Sequence, residues 1–279
     1  MISRRTFLFG AAGVAASAIG TGVYTRYVEP QWLDVTSHTM PIRGLPRALI
    51  DKRLVQLTDL HVGPQVDDRY VLETFRRVQT LAPDIVVYTG DMTSLHAGLH
   101  AHAEAVYSDM PRGAMGTFVS FGNHDYGRNW SEPEEAARMG RLLQSFGATV
   151  LVNEAAVLEG LHIIGLGDLW AGTFAPAQAF STLPTGAPAI ALCHNPDAVD
   201  RDGWEPFSGW ILAGHTHGGQ CKPPFLPPPI LPVQNKRYTS GTFALSSSRT
   251  MYIGRGVGTV MPVRFNVRPE VAVFQLQRA

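Results

Sequence analysis

From Leu54 to the C-terminus the apolar residues fall in short blocks, with helix-period stretches and turn chemistry between them. Leu54-Val55-Gln56-Leu57 predicts a short buried strand. Asp67 to Leu81 predicts a helix, because Val71, Leu72, Phe75, Val78 and Leu81 share one face and Pro83 follows its end. Ile85 to Tyr88 and Gly116 to Phe121 predict the next two strands. Ser131 and Glu134 read as a capping box with Pro133 in the first turn, opening a helix that runs to Phe146 and stops at Gly147. Strands alternating with helices imply an α/β unit with parallel strands. The second half is richer in strands. Ala155 to Leu158 and Leu161 to Leu166 flank Glu159-Gly160 as a hairpin. Ala189 to Cys193, Trp210 to Ala213, Tyr252 to Gly254 and Val271 to Leu276 read as further strands. Pro223 to Pro232 contains six prolines, which excludes a helix or a central strand. It reads as an ordered loop carrying Phe225, Leu226, Ile230 and Leu231, either core or a lid that receives a lipid or sugar tail, with core packing as the default.

The first thirty residues follow another logic. Ser3-Arg4-Arg5-Thr6-Phe7-Leu8 precedes a run of small apolar residues to Val23, the order of a twin-arginine export signal. Ala16-Ser17-Ala18 offers a cleavage site, while Phe7 to Val23 is near the minimum length of an uncleaved membrane anchor. Residues 1–28 are therefore expected to be a signal or anchor that uses the twin-arginine export machinery. Residues 29–50, with Pro30, Pro41 and Pro46 and no long periodic run, are expected to be a lead-in. Residues 51–279 are expected to form a single catalytic domain outside the cytoplasm, in the periplasm or cell envelope.

Composition narrows the classes. The 45% hydrophobic content excludes a wholly disordered chain. Lys plus Arg and Asp plus Glu are both 23, so the zero net charge gives no basic field and no nucleic-acid partner is expected. Two cysteines, Cys193 and Cys221, exclude a disulfide-rich scaffold and a Cys-only zinc site. The 10 histidines carry the chemistry. Successive strands run into Asp59-Leu60-His61, Gly90-Asp91, Gly122-Asn123-His124-Asp125, His194 and Gly214-His215-Thr216-His217. Ligands of open α/β sheets gather beyond the carboxyl ends of strands, so these five ends are expected to converge. Aspartate, asparagine and histidine suit Mn, Zn or Fe. Seven ligands are too many for one tetrahedral ion and suffice for two ions sharing a carboxylate.

Taken in order, these five motifs resemble those of the calcineurin-like metallophosphoesterases, over roughly residues 50–279. Glu29-Pro30, Gly218-Gly219-Gln220, Leu231-Pro232 and Arg268-Pro269-Glu270 resemble a branch of small, exported or membrane-anchored bacterial phosphodiesterases. The resemblance implies a two-sheet α/β sandwich with flanking helices. It also implies one divalent ion held by Asp59, His61, Asp91 and His217, and a second held by Asp91, Asn123, His194 and His215. Asp91 would then be the bridge. His124 would face the phosphate, with Asp125 orienting its neighbours. The implied reaction is in-line hydrolysis of an envelope or cell-wall phosphodiester by a hydroxide shared between the ions. Arg128 is a further candidate phosphate contact. Ser94 stands where purple acid phosphatases carry a tyrosine ligand, and Met92-Thr93-Ser94-Leu95 lacks the Asp-Arg-Gly of protein Ser/Thr phosphatases. Two alternatives stay open: a pyrophosphatase acting on a nucleotide-linked glycolipid of the UDP-diacylglucosamine type, and a non-catalytic metal-binding envelope protein.

Other residues have plainer readings. His96, His100 and His102 form either a third metal cluster or, favoured for want of matching carboxylates, a solvated face. His38 and His162 are expected to be structural. Cys193 and Cys221 could form a disulfide in an oxidising compartment but are expected to be two buried free thiols, with Cys193 pointing away from its neighbour His194. Trp170 and Trp204 are open between rim and core.

Overall fold

The computed structural model describes residues 4–94 and 100–279, and His96 lies outside them. The described residues form two six-stranded sheets packed face to face with helices outside. In chain order the strands are β1 (Asp34–Ile42), β2 (Arg53–Leu57), β3 (Ile85–Thr89), β4 (Gly116–Ser120), β5 (Thr149–Val150) and β6 (Glu154–Leu158). They continue with β7 (Leu161–Gly165), β8 (Ala189–Leu192), β9 (Gly209–Ala213), β10 (Gly241–Ala244), β11 (Arg249–Ile253) and β12 (Glu270–Arg278). The helices are α1 (Arg4–Val23), α2 (Asp68–Thr80), α3 (His100–Tyr107), α4 (Pro133–Ser145) and the single turn α5 (Pro176–Ala179).

The first sheet runs β1-β12-β2-β3-β4-β5, and the second runs β10-β11-β9-β8-β7-β6. β2 to β5 are parallel, as are β7, β8, β9 and β11. Period-two side-chain alternation explains the layers. Leu54 of β2, Ile85 and Val87 of β3 and Phe118 of β4 point inward against Ile163, Ile190 and Leu212 of the second sheet. Val55, Val86, Tyr88 and Val119 point outward and are covered by α2, α3 and α4 through Phe75, Tyr107, Met139 and Leu143. A fully buried Phe75 contributes roughly 2–3 kcal/mol through the area it removes from water. The outer face of the second sheet buries Ile164, Ala191, Ile211 and Ile253 under Phe180, Trp204 and Phe207. Trp204 is therefore core.

Three local expectations are corrected. Residues 34–42, read as an aperiodic lead-in, form β1, which pairs with β12 along nine residues. β1 is an edge strand, so only its last turn is buried and it lacks the apolar run of a central strand; Pro41 is tolerated there. The capping box at Ser131 does not form. The α4 N-cap is Glu132 without a side-chain cap, and the Ser131 hydroxyl donates to the Arg128 carbonyl instead. The Pro loop is not core: Leu231 is buried, while Phe225, Leu226 and Ile230 are exposed.

The helix α1 stands free, its described side chains exposed from end to end. Beyond it the chain is tied to the domain. The Arg264 N–H donates to the Thr25 carbonyl at 3.0 Å. The Val267 N–H donates to Glu29 Oε1 at 2.6 Å, and Glu29 is buried.

Candidate metal centre

The parallel strands of both sheets end at the same edge of the sandwich, and the five motifs start there. β2 leads to Asp59 and His61, β3 to Asp91 and β4 to Asn123 and His124; from the second sheet, β8 leads to His194 and β9 to His215 and His217. All seven proposed ligands are buried. Sharp turns after each strand bring the side chains back across the sheet edge. Asp59, His61, Asp91, His215 and His217 all have φ between 48° and 71°, a left-handed conformation that is costly for residues with a Cβ. Strain of this kind persists where surrounding bonds over-determine it. Here the Asp59 N–H donates to the Gly90 carbonyl and the His61 N–H to the Asp91 carbonyl, both at 3.0 Å. The His215 N–H donates to both oxygens of Asp59 at 3.0 Å.

Gly90, just after β3, is pressed against the residues that follow β8 and β4. Its φ is +89°, and a Cβ there would lie 2.5 Å from His194 Nδ1 and 2.6 Å from the Gly122 nitrogen. Gly90→Ala is expected to lower stability by about 2–4 kcal/mol, a fall of roughly 5–15 °C in melting temperature. A calorimetric melt unchanged within a degree would mean that the strands are not held this close.

The side chains converge as the motifs imply. His61 Nε2 lies 3.1 Å from His217 Nε2, and His217 Nε2 lies 3.3 Å from Asp59 Oδ1. Asp91 Oδ2 lies 3.1 Å from His194 Nε2 and 3.5 Å from His61 Nε2. Donor atoms of Asp59, His61 and His217 all fall within 4.8 Å of one another, as do those of Asp91, His194 and His215, and those of His61, Asp91 and His124. Asp91 and His61 thus join the groups. Asn123 lies beside them with both side-chain polar atoms buried and unpartnered, and His215 Nε2 is likewise unpartnered. Buried polar atoms without partners are costly, and a cation coordinated by the Asn123 oxygen and the imidazole nitrogens satisfies the acceptors among them.

The far side of each ring is fixed. His194 Nδ1 lies 2.8 Å from the Thr89 carbonyl and His61 Nδ1 lies 2.8 Å from Ser94 Oγ. A donor bond from Nδ1 to a carbonyl leaves Nε2 to the cluster, which is how metal-ligating histidines are oriented. Burial pushes the His61 and His215 rings down to about 3, and His217 well below the ordinary histidine range. These imidazoles are neutral at pH 7, the form that binds a metal. Burial also disfavours charge on Asp91, but the opposing charges of His194 and His124 outweigh it and hold the carboxyl well below the usual range. The anion in turn outweighs burial at His194 and raises its proton affinity. The same negative charge suits a divalent cation. The donor set therefore fits two ions: two carboxylates, an amide oxygen and four imidazoles.

The remaining sequence candidates separate. His124 is half-buried on the cavity wall, 5.0 Å from the His61 ring, and its N–H donates to Asp91 Oδ1 at 2.9 Å. Asp125 accepts from the Gly122 and Thr93 N–H groups at 2.9 and 3.2 Å, so it pins two ligand-bearing loops together. Burial, reinforced by Asp91, pushes its carboxyl up to about 8. Arg128 is exposed in the next turn and does not line the cavity. His100 pairs with Glu135 at 2.7 Å and His102 with Asp68 at 3.1 Å, surface ties between helices. His38 bonds Tyr252 and Thr36. Both cysteines are free, and Cys193 faces the outer core.

Three features escaped the sequence reading. Arg264 is completely buried, and its guanidinium donates to the carbonyls of Arg255, Gly256, Gly258 and Val267, fixing the loop behind His217. Asp168 Oδ1 accepts from the N–H groups of Trp170 and Ala171 at 2.7 and 2.8 Å, which sets Trp170 on the rim. Trp170 stacks on Trp130 at 4.9 Å and meets the His215 ring edge-on at 4.3 Å. Trp170, backed by Trp130, walls a cavity of about 190 Å³ that opens over Asp91, Asn123, His124, His215 and His217.

The comparisons agree with this geometry. Residues 52–219 match the calcineurin-like phosphoesterase family. Over 281 residues, 99% of this chain and 100% of the relative, the protein is 34% identical to phosphodiesterase YaeI of Escherichia coli (strain K12). It is 32% identical over 292 residues to the uncharacterized metallophosphoesterase YkuE of Bacillus subtilis (strain 168), covering 99% and 98% of the two chains. A third relative, UDP-2,3-diacylglucosamine pyrophosphatase LpxG of Chlamydia trachomatis serovar D, is 25% identical over 314 residues, 94% of each chain. With five ligand motifs gathered at one sheet edge and a relative matched end to end, the chain belongs to the calcineurin-like phosphoesterase family of metal-dependent hydrolases.

Proposed function

We propose that the protein is a phosphodiesterase requiring two divalent ions of the Mn, Zn or Fe type and acting on an envelope or cell-wall phosphodiester outside the cytoplasm. The observation that carries the reading is the position of Asp91. Asp91 stands between the Asp59–His61–His217 group and the His194–His215 group, with orphaned Asn123 beside it. One ion is assigned to Asp59, His61, Asp91 and His217, and the other to Asp91, Asn123, His194 and His215. Bound ions supply Lewis acidity toward a phosphoryl oxygen and lower the pKa of water.

The chain's own residues do the rest. The hydrogen bonds to Thr89 and Ser94 aim His194 and His61 at the cluster. Asp91 orients His124 by accepting its N–H. The His124 ring, open to the cavity, donates a hydrogen bond to the phosphoryl group and a proton to the departing alkoxide. Trp170, held by its stack on Trp130, forms one side of the cavity wall. The diester preference is supported by the end-to-end relative that bears that name. The export reading is supported by Arg4-Arg5 at the start of α1, ahead of its apolar run.

The test uses the full chain in detergent, stripped of metal and reloaded with Mn²⁺. Bis(p-nitrophenyl) phosphate and p-nitrophenyl phosphate are compared as substrates. Metal-dependent turnover that favours the diester is expected. Turnover of neither, with two ions bound per chain, would remove the phosphodiesterase reading and favour either a narrow pyrophosphate substrate or a non-catalytic role.

A further inference from the structure

Among the described residues, the large apolar side chains left in water fall, apart from Val157 on β6, at two places, and the two are joined. The first is α1 and the turns after it. Leu8, Phe9, Val14, Ile19 and Val23 are all exposed, and no polar stripe interrupts them. A helix that is apolar all round does not lie on a surface with one face wet. Residues 8–31 are long and apolar enough to cross a membrane. At the domain end of that span lie Tyr24, Arg26 and Tyr27, followed by Trp32, with Arg268 lying 3.7 Å over the Trp32 ring. Aromatic and basic residues after an apolar helix are the composition of a membrane–water interface.

The second place is the mouth of the metal cavity. Ile230, Val260 and Met261 line it and are 63%, 42% and 47% exposed. Phe225 and Leu226 stand out from the tip of the Pro loop, fully exposed and 59% exposed. An exposed apolar patch at a site entrance calls for a partner.

The connection between the two runs through backbone and side-chain hydrogen bonds. Thr25 accepts from the Arg264 N–H, and Met261 is three residues before Arg264, no more than about 11 Å along the chain. The Gln220 amide donates to the Met261 and Val263 carbonyls at 2.7 and 2.8 Å, tying this loop to the segment after His217. The Lys222 N–H donates to the Phe265 carbonyl at 2.8 Å, which carries the tie on to the base of the Pro loop. The end of the membrane-length helix and the cavity mouth are thus built on one short stretch, residues 260–267.

We infer that the Pro loop and residues 260–263 rest on the bilayer that α1 enters, so that the cavity takes a phosphoester headgroup whose apolar tail stays in the membrane. The occupant of the patch is the lipid surface, because the helix that fixes its orientation has no other medium that suits it. The substrate half rests on the phosphoesterase reading; the docking half does not.

The experiment uses the full chain, loaded with Mn²⁺ and reconstituted in phosphatidylcholine vesicles. F225W is compared with wild type in plain vesicles and in vesicles of 6,7-dibromo-phosphatidylcholine. The emission added by the new tryptophan is expected to fall at least two-fold with the brominated lipid. Equal emission in both would overturn the docking and point to a protein partner or a second copy on the patch. In the second arm, hexadecyl p-nitrophenyl phosphate is compared with methyl p-nitrophenyl phosphate, the same ester with and without a tail. Wild type is expected to favour the hexadecyl ester at least ten-fold in kcat/KM. F225S/L226S is expected to bring the two esters within three-fold while leaving methyl ester turnover unchanged. A preference that the variant does not alter would overturn the lipid substrate. Hydrolysis of neither ester would count against the phosphoesterase reading itself, with the quenching result still deciding the docking.

Discussion

Asp91→Asn is expected to lower kcat by at least about a thousand-fold and to leave fewer than two ions on each chain after dialysis. The rate loss corresponds to about 4 kcal/mol of transition-state stabilisation. The reason lies in what each oxygen does. Oδ2 is 3.1 Å from His194 Nε2 and 3.5 Å from His61 Nε2, at the junction of the two ligand groups. Oδ1 accepts the His124 N–H at 2.9 Å. An amide has one oxygen. If it keeps the His124 bond, an NH₂ group faces the ions; if it faces the ions, the NH₂ meets the His124 N–H donor to donor. Either orientation also removes a full negative charge from a buried site in which only Asp59 would remain as a ligating carboxylate. Metal content by plasma mass spectrometry and kcat on the diester test this together. Far-UV circular dichroism is expected to match wild type, since the substitution is isosteric. Two retained ions with wild-type turnover would show that Asp91 is not the shared ligand.

How much of this site could be read from the chain alone depends on how local each signal was. The ligand motifs are short runs at strand ends, and strands such as Ile85–Thr89 are buried on both faces, so apolar run and ligand sit side by side in the sequence. β1 is illegible for the opposite reason: as a half-exposed edge strand it carries Asp34, Thr36, Ser37, His38 and Thr39 and ends with Pro41 between its two buried residues. β5 and β10 are too short or too exposed to leave an apolar run. Arg264 looks like any surface arginine until the carbonyls it serves, three to nine residues away, are folded around it. The Trp130–Trp170 stack joins residues 40 apart, and it depends on Trp130 holding a φ of +59° that no residue pattern announces. The Pro loop was misjudged because apolar side chains in a proline run were given the core as default. The prolines instead leave a loop whose tip cannot fold back onto the sheets. Short-range chemistry was legible; long-range positioning and the rim were not.

His124→Ala is expected to keep both ions and to lower kcat by about 10²- to 10⁴-fold, with KM changed by less than three-fold. The substitution separates two roles that the geometry places in one residue. The backbone N–H that holds Asp91 Oδ1 survives in alanine, so the ligand cluster keeps its clasp. Only the ring is lost, and that ring is half-buried on the cavity wall, edge-on to His61 at 5.0 Å. Its nitrogen also lies within 4.8 Å of donor atoms of His61 and Asp91, close enough to ligate. The metal count therefore decides first: loss of an ion would make His124 a ligand rather than a donor to substrate. With both ions retained, the leaving group decides next. A p-nitrophenolate departs without a proton, whereas a simple alkoxide does not. If the ring protonates the leaving oxygen, the loss on an alkyl ester will exceed the loss on the p-nitrophenyl ester by at least ten-fold. Equal losses on the two esters would put the ring on the phosphoryl oxygens, stabilising charge alone. Wild-type kcat on both would remove His124 from the reaction.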